Sequence, residues 1–91
     1  MLLLVQIDLS SADLPLFEAY EERVLALLSN YGAKLEERFR SSDGQREVHL
    51  IDFPSTEALD AFRNDQTRSA AQDMWKRCGA SSVLMEVNRV S

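Results

Sequence analysis

Hydrophobic and polar residues alternate in four short segments of the chain, which predicts four β-strands. Leu2 to Leu9 has one wholly apolar face and a second face that turns polar, as expected for a central strand. Lys34 to Arg40 and Glu47 to Phe53 also alternate, and the intervening Ser41-Ser42-Asp43-Gly44 is typical of a tight hairpin turn. Ser82 to Val90 is the fourth predicted strand.

Two longer segments have apolar residues spaced three and four apart, which predicts amphipathic helices. The first begins near Pro15, which suits a first helical turn, and ends at Gly32, which suits a left-handed C-terminal cap. The second begins after the N-cap residue Ser55 and ends at Gly79. Asn64-Asp65-Gln66 is expected to interrupt it, with the aspartate capping a further helical segment.

The order strand, helix, strand, strand, helix, strand predicts an α+β fold, a ferredoxin-like βαββαβ sandwich, in one domain over residues 1–91. Right-handed crossovers put the first and third strands side by side in a four-stranded antiparallel sheet with both helices on one face. The other face would be bare, so we expect a homodimer formed through the sheet faces. The residues expected in that interface are Leu2, Leu4, Ile51, Phe53 and Leu84.

The amino-acid composition of the chain disfavours some classes of binding partner. The 91 residues include 15 Asp and Glu against 10 Lys and Arg, a net charge of −5. This acidic balance predicts no nucleic-acid partner and no anionic membrane partner, because both require a basic patch. No segment approaches the roughly 20 apolar residues of a membrane span. The single cysteine, Cys78, fits a reducing compartment, so we expect a cytoplasmic protein.

His49 is the only histidine, and its ordinary pKa lies near neutrality, which makes it the leading candidate for a general base. Side chains alternate along a strand, so the assignment of its neighbours decides which way His49 faces. If Val48 and Leu50 join the helix side, His49 lies on the bare face of the sheet.

Five polar residues are then expected around His49 on the bare face: Gln6, Glu36, Arg38, Glu86 and Asn88. In this hypothesis Arg38 stabilises developing negative charge, and Glu86 is the third catalytic candidate. Gln6 and Asn88 would contact a small-molecule substrate, as would Trp75 from the second helix.

Other interpretations of these residues remain open. His49 could be a structural histidine that is hydrogen-bonded across the dimer interface, or a haem ligand. Trp75 could be an ordinary core residue. One histidine with scattered carboxylates is a poor metal site, so we predict no metal and no cofactor.

Several short motifs carry a resemblance to known proteins: Ile51-Asp52-Phe53-Pro54-Ser55, Glu57-Ala58, Ala61-Phe62, Asn64-Asp65, Tyr20-Glu21, Asn30-Tyr31-Gly32 and Val83-Leu84-Met85-Glu86-Val87. Together they span nearly the whole chain, which resembles small proteins of the dimeric α/β-barrel superfamily. The most similar branch is a domain family of unknown function. More distant resemblance extends to antibiotic-biosynthesis monooxygenases, EthD-like proteins and muconolactone isomerases.

The resemblance implies that two sheets face each other in a homodimer, with any pocket between sheet and helices or inside the barrel. None of the catalytic constellations of the characterised branches can be placed on this chain residue by residue. We therefore expect a small homodimeric domain without an assignable catalytic motif. The alternative is a cofactor-independent enzyme, of monooxygenase or isomerase type, that acts on a small, partly apolar molecule.

Overall fold

One antiparallel sheet with the strand order β2-β3-β1-β4 organises the chain in the computed structural model, which describes residues 1–90. The strands are β1 (Leu2–Asp8), β2 (Lys34–Arg40), β3 (Arg46–Asp52) and β4 (Ser81–Val87). β1 and β3 lie in the centre, and all helices cover the same face. The predicted ferredoxin-like βαββαβ fold is therefore confirmed.

The helical segments are α1 (Leu14–Leu25), a 3₁₀ turn (Leu28–Tyr31), α2 (Thr56–Arg63), α3 (Gln66–Ala70) and α4 (Gln72–Cys78). Ser55 caps α2 by accepting a hydrogen bond from the amide of Ala58 at 3.1 Å. Asp65 caps α3 in the same way, so the predicted interruption of the second helical segment is confirmed. A second break at Ala71, between α3 and α4, was not predicted. Within residues 1–90, every helix is too short or too polar to cross a bilayer.

The hydrophobic core lies between the sheet and the helices. Phe17 of α1 and Phe53, just after β3, are almost wholly buried. The rings of Phe53 and Phe62 lie 5.6 Å apart, a contact between the end of β3 and α2, and those of Tyr20 and Trp75 lie 5.2 Å apart, a contact between α1 and α4.

The register of β3 reverses the face expected for His49. His49 pairs with Val5 and Glu47 pairs with Ile7, so both polar residues share the helix-covered face with the apolar side of β1. Val48 and Leu50 point the other way. The sequence pattern did not decide between the two faces because β3 carries apolar residues on both of them. The prediction that His49 lies on the bare face beside Gln6 is wrong.

The bare side of the sheet, here called the open face, consequently has a different composition from the one predicted. Ile51 and Phe53 belong to the core, and Leu84 pairs with Val5 and therefore faces the helices. Leu2 and Leu4 do lie on the open face, as predicted. The other apolar residues there are Phe39, Val48, Leu50, Val83, Met85 and Val87.

An irregularity in β2 decides which of its side chains face inward. The register of β2 against β3 shifts between Leu35 and Glu37, so the alternation of side chains is broken there. Before the shift Leu35 faces the helices; after it Phe39 lies on the open face. Arg38 and Arg40 then point to the helix side, opposite His49 and Glu47.

Gly79 ends α4 with a positive φ of 79°, and a β-carbon there would lie 2.8 Å from the carbonyl oxygen of Ser11. We expect Gly79→Ala to lower the free energy of unfolding by about 2–3 kcal/mol, because it adds a steric clash to an unfavourable backbone conformation. Urea denaturation measures the change.

Gly44→Ala is the matched control, since Gly44 has a φ of 74° but no atom within 4 Å of the added carbon. It should cost only about 1 kcal/mol. Equal losses in the two variants would contradict the role given to the contact with Ser11.

Candidate functional site

A cavity of about 160 Å³ lies between the sheet and the helices. Its walls are mostly apolar and include Leu3, Val5, Ile51, Tyr20, Val24 and Trp75. An apolar protein cavity of roughly 150 Å³ is large enough to hold benzene. The space here therefore suits a molecule built around a single ring or of similar size.

Two buried titratable residues form part of the cavity wall. Glu21 comes from α1 and is 5% exposed, and His49 comes from β3 and is 2% exposed. The Nδ1 atom of His49 lies 4.0 Å from Oε2 of Glu21. Behind His49, its Nε2 atom lies 2.5 Å from Oε2 of Glu47, which is 2% exposed.

Glu47 is held by charged partners from the neighbouring strand. Its Oε2 accepts a hydrogen bond from Nε of Arg38 at 3.0 Å. Its Oε1 accepts bonds from Nε and Nη2 of Arg40 at 3.0 and 2.6 Å. Glu18 of α1 also pairs with both arginines, which closes the network at the surface.

These contacts keep Glu47 ionised. Burial by itself raises the pKa of the Glu47 carboxyl, but hydrogen bonds from His49, Arg40 and Arg38 outweigh burial and bring the pKa below its ordinary value. Burial lowers the pKa of His49, and the hydrogen bond to Glu47 only partly opposes that effect. His49 is thus a neutral imidazole at neutral pH.

Glu21 has a different environment from Glu47. Among residues 1–90 no group donates a hydrogen bond to its carboxyl, although the side chain is buried. Burial, followed by repulsion from Glu47, raises the pKa of Glu21 to about 7. The protonated and ionised forms of Glu21 are therefore both populated at neutral pH.

The partners of His49 assign its tautomer. An ionised Glu47 accepts the proton of Nε2, which leaves Nδ1 unprotonated on the side of Glu21. A proton arriving at Nδ1 would be stabilised by the carboxylate of Glu47 on the opposite side of the ring. The cavity wall therefore contains a base, His49, whose Nδ1 atom can accept a proton. Beside it lies Glu21, which is partly protonated at neutral pH.

The same three residues, Glu21, Glu47 and His49, are the set that could hold a metal ion, since their ligand atoms lie within 4.8 Å of one another. Glu47, however, already accepts hydrogen bonds from two arginines and His49. A metal at this point would have to replace them and would repel the guanidinium groups.

The polar residues predicted around His49 separate into two groups in the structure. Arg38 reaches the cluster but contacts Glu47 rather than the cavity, and Trp75 lies in the cavity wall. Gln6 is exposed on the open face opposite Val48. Glu86 pairs with Leu3 on exposed β4 but does not line the cavity, and Asn88 is exposed after the strand ends. The structure does not bring these last three residues to His49.

Sequence reasoning missed Glu21 and Glu47. Glu21 lies in a run with Glu18 and Glu22, which is typical of a solvated helix face. The position of Glu21 indicates burial instead, because it lies four residues after Phe17 and three before Val24, on the apolar stripe of the helix. A carboxylate on such a stripe is a candidate for a buried titratable group.

Comparison with solved structures gives the same fold. SnoaB, a cofactor-independent oxygenase from Streptomyces nogalater, superposes with a TM-score of 0.73 at 11% identity, over 98% of this chain and 93% of that one. A dimeric ferredoxin-like protein of unknown function from Jannaschia sp. CCS1 gives 0.68 at 18% identity, over 96% and 100%. Protein Atu4242 from Agrobacterium tumefaciens gives 0.70 at 18% identity, over 100% and 97%.

The chain has a ferredoxin-like fold. Its structural neighbours are of the dimeric α/β-barrel type, so the fold expected from the resemblance is confirmed. At these identities the likeness establishes the fold alone. A comparison with protein-family models gives no match, and neither does a comparison with curated proteins.

The raised pKa of Glu21 predicts a pH-dependent effect of Glu21→Gln on stability. The carboxyl has a pKa of about 7 in the folded protein against an ordinary 4.5, so its ionisation destabilises the fold as pH rises through this interval. Relative to the unsubstituted protein, the variant should gain up to about 3 kcal/mol in free energy of unfolding between pH values below and above that interval.

Urea denaturation at a series of pH values measures this change. Glu22→Gln removes the same charge from an exposed neighbouring position and should leave the pH dependence unaltered. A Glu21→Gln effect that is constant with pH would show that Glu21 is not buried in the way described.

Proposed function

We propose that this chain, as one cytoplasmic domain over residues 1–91, forms a homodimer that binds a small, partly apolar molecule and moves a proton on it without a cofactor. The observation that supports the proposal is the placement of two buried titratable residues, Glu21 and His49, in the wall of a mostly apolar cavity. Burying such groups opposes folding, so their position there needs a reason other than stability.

The proposed reaction begins with transfer of a proton from the bound molecule to Nδ1 of His49. The carboxylate of Glu47 on the other side of the ring stabilises the imidazolium that forms. Protonated Glu21 then donates a proton to a second position on the same molecule, which completes an isomerisation with no net change in protons. Return of a proton from His49 to Glu21 restores the starting state.

Oxygenation is the second candidate, and the similarity in fold to SnoaB, a cofactor-independent oxygenase, favours it. The first step is the same deprotonation, which converts a phenol or enol into an electron-rich anion. Dioxygen is the oxidant: a carbon of the anion bonds to it and forms a hydroperoxide. Loss of the hydrogen still on that carbon breaks the O–O bond, which leaves one oxygen atom as a carbonyl and releases the other as water with the proton held by His49. The apolar walls of the cavity suit both dioxygen and a ring.

Arg38 is assigned a positioning role in this scheme, because it contacts Glu47 and not the cavity. It holds the carboxylate that orients His49, together with Arg40. Trp75 is proposed as a substrate contact through its place in the cavity wall. Gln6, Glu86 and Asn88 have no part in the proposed chemistry.

Solvent deuterium exchange and dioxygen uptake with a panel of single-ring phenols and enolisable ketones test the chemistry. We expect the protein to accelerate one of these processes. For the isomerisation, Glu21→Gln should lower the rate at which solvent deuterium enters the second position about 100-fold while ligand binding is retained, since only proton donation by Glu21 is removed. Glu22→Gln should keep the full rate.

Compounds that bind in the cavity without any acceleration would contradict the proton-transfer step and favour a binding domain. An undiminished rate in Glu21→Gln would remove Glu21 from the mechanism.

The open face supports the proposed homodimer. Leu2, Leu4, Val48 and Leu50 form its central part, and Val83 and Met85 extend it along β4. Apolar residues gathered on one uncovered sheet face are typical of a protein interface. A dimer through this face leaves the cavity on the opposite side of the sheet unobstructed.

Adjacent residues of β4 give a matched test of the interface. Met85, 47% exposed, lies on the open face, whereas Leu84, 45% exposed, faces the helix side. We expect Met85→Glu to convert the dimer into a monomer, because it buries an unpaired charge, and Leu84→Glu to remain dimeric. Size-exclusion chromatography with light scattering distinguishes the two states, and a dimeric Met85→Glu would contradict the proposed interface.

A further inference from the structure

We propose that the molecule bound in the cavity carries a carboxylate group and that Arg68 of α3 recognises it. The inference rests on the proposed function, since it concerns the ligand of the same cavity. It is drawn from other residues of the wall: Arg63, Arg68 and Gln72, which line the cavity from the α2–α4 segment.

The hydrogen bonding of Arg68 is incomplete. Its Nη1 atom donates to the carbonyl oxygen of Arg63 at 3.3 Å, and its guanidinium carbon lies 5.3 Å from the centre of the Phe62 ring. Its Nε atom is buried and has no hydrogen-bond acceptor among residues 1–90. Burying a charged donor without an acceptor is unfavourable, so such a group marks a place where an acceptor from outside the chain would be stabilising.

The atoms of the Arg68 guanidinium that have no acceptor determine which ligand group it can bind. With Nη1 turned to a backbone carbonyl, the edge formed by Nε and Nη2 has no acceptor within the part of the chain that the structure describes. This edge presents two parallel N–H groups, which match the two oxygens of a carboxylate. Phe62 fixes the plane of the guanidinium from one side.

The charge around Arg68 is also uncompensated. Within residues 1–90 no carboxylate lies within 4.0 Å of Arg68 or of Arg63, although the protein has a net charge of −5. This charge affects the pKa of Tyr20, another residue of the cavity wall. Burial raises the pKa of Tyr20, and the positive charge of Arg68 opposes the rise. The positive charge of Arg68 therefore acts on the space inside the cavity and would attract an anion there.

The two parts of the cavity together specify the ligand class. Arg68 binds a carboxylate, the apolar walls contact a ring or a chain of similar size, and His49 with Glu21 faces a phenolic or enolisable group. A neutral molecule would leave the charge of Arg68 unpaired, and a second carboxylate beside Glu21 would be repelled. The proposed ligand is thus a monocarboxylate of about one ring that carries a weakly acidic O–H or C–H group.

Two probes of equal size and different charge test the inference: para-hydroxybenzoate and its neutral amide, para-hydroxybenzamide. Affinities are measured by calorimetry, and NMR shifts of the cavity residues locate the bound probe. We expect the carboxylate to bind at least about ten-fold more tightly than the amide, as one charge-assisted hydrogen bond requires. Arg68→Gln should abolish that preference and leave the affinity for the amide unchanged.

Arg23→Gln is the matched control, since it removes the same charge from an exposed part of α1 that does not line the cavity. It should retain the preference. Equal affinities for the two probes at the cavity of the unsubstituted protein would overturn the assignment of Arg68 and leave the proposed function standing. Absence of cavity shifts with both probes at millimolar concentration would overturn the binding function and this inference together.

Discussion

The buried carboxylate of Glu47 is the constraint on which the site depends. A charge in the interior is tolerated only where partners replace the lost water, and here three side chains do so. His49 lies on the same strand, and Arg38 and Arg40 come from β2 because a shift in the β2–β3 register turns them toward the helices. Without that shift the arginines would lie on the open face. The register shift, the ion pairs and the orientation of His49 therefore form one structural unit.

Glu21 gains its chemical character from the contrast with Glu47. Both carboxylates are buried within a few ångströms of His49, but Glu47 is surrounded by donors and Glu21 has none among residues 1–90. Desolvation then dominates at Glu21, and hydrogen bonding dominates at Glu47. The two carboxyl groups therefore differ in pKa: Glu47 stays ionised, and Glu21 titrates near neutral pH. Such separation is a common means by which proteins perform acid–base chemistry at neutral pH.

The sheet divides the proposed activities between its faces. The cavity, with the proposed acid–base pair and Arg68 in its wall, lies between the helices and the covered face of the sheet, whereas the open face carries apolar residues suited to association. This division follows from the period of two along a strand, which sends neighbours such as Leu84 and Met85 in opposite directions. Changes on one face can therefore alter assembly with little effect on the chemistry of the other.

The sequence by itself determined the order of elements, the hairpin and most of the helix boundaries. These features depend on local properties: periodicity, the caps at Ser55 and Asp65, and the positive φ that Gly79 adopts. The tertiary structure decided which face of β3 turns inward, because both faces are partly apolar and only pairing with β1 and packing against the helices distinguish them. It also decided the burial of Glu21 and Glu47 and the unsatisfied donor of Arg68. Those properties arise from residues distant in the chain, which no local pattern can bring together.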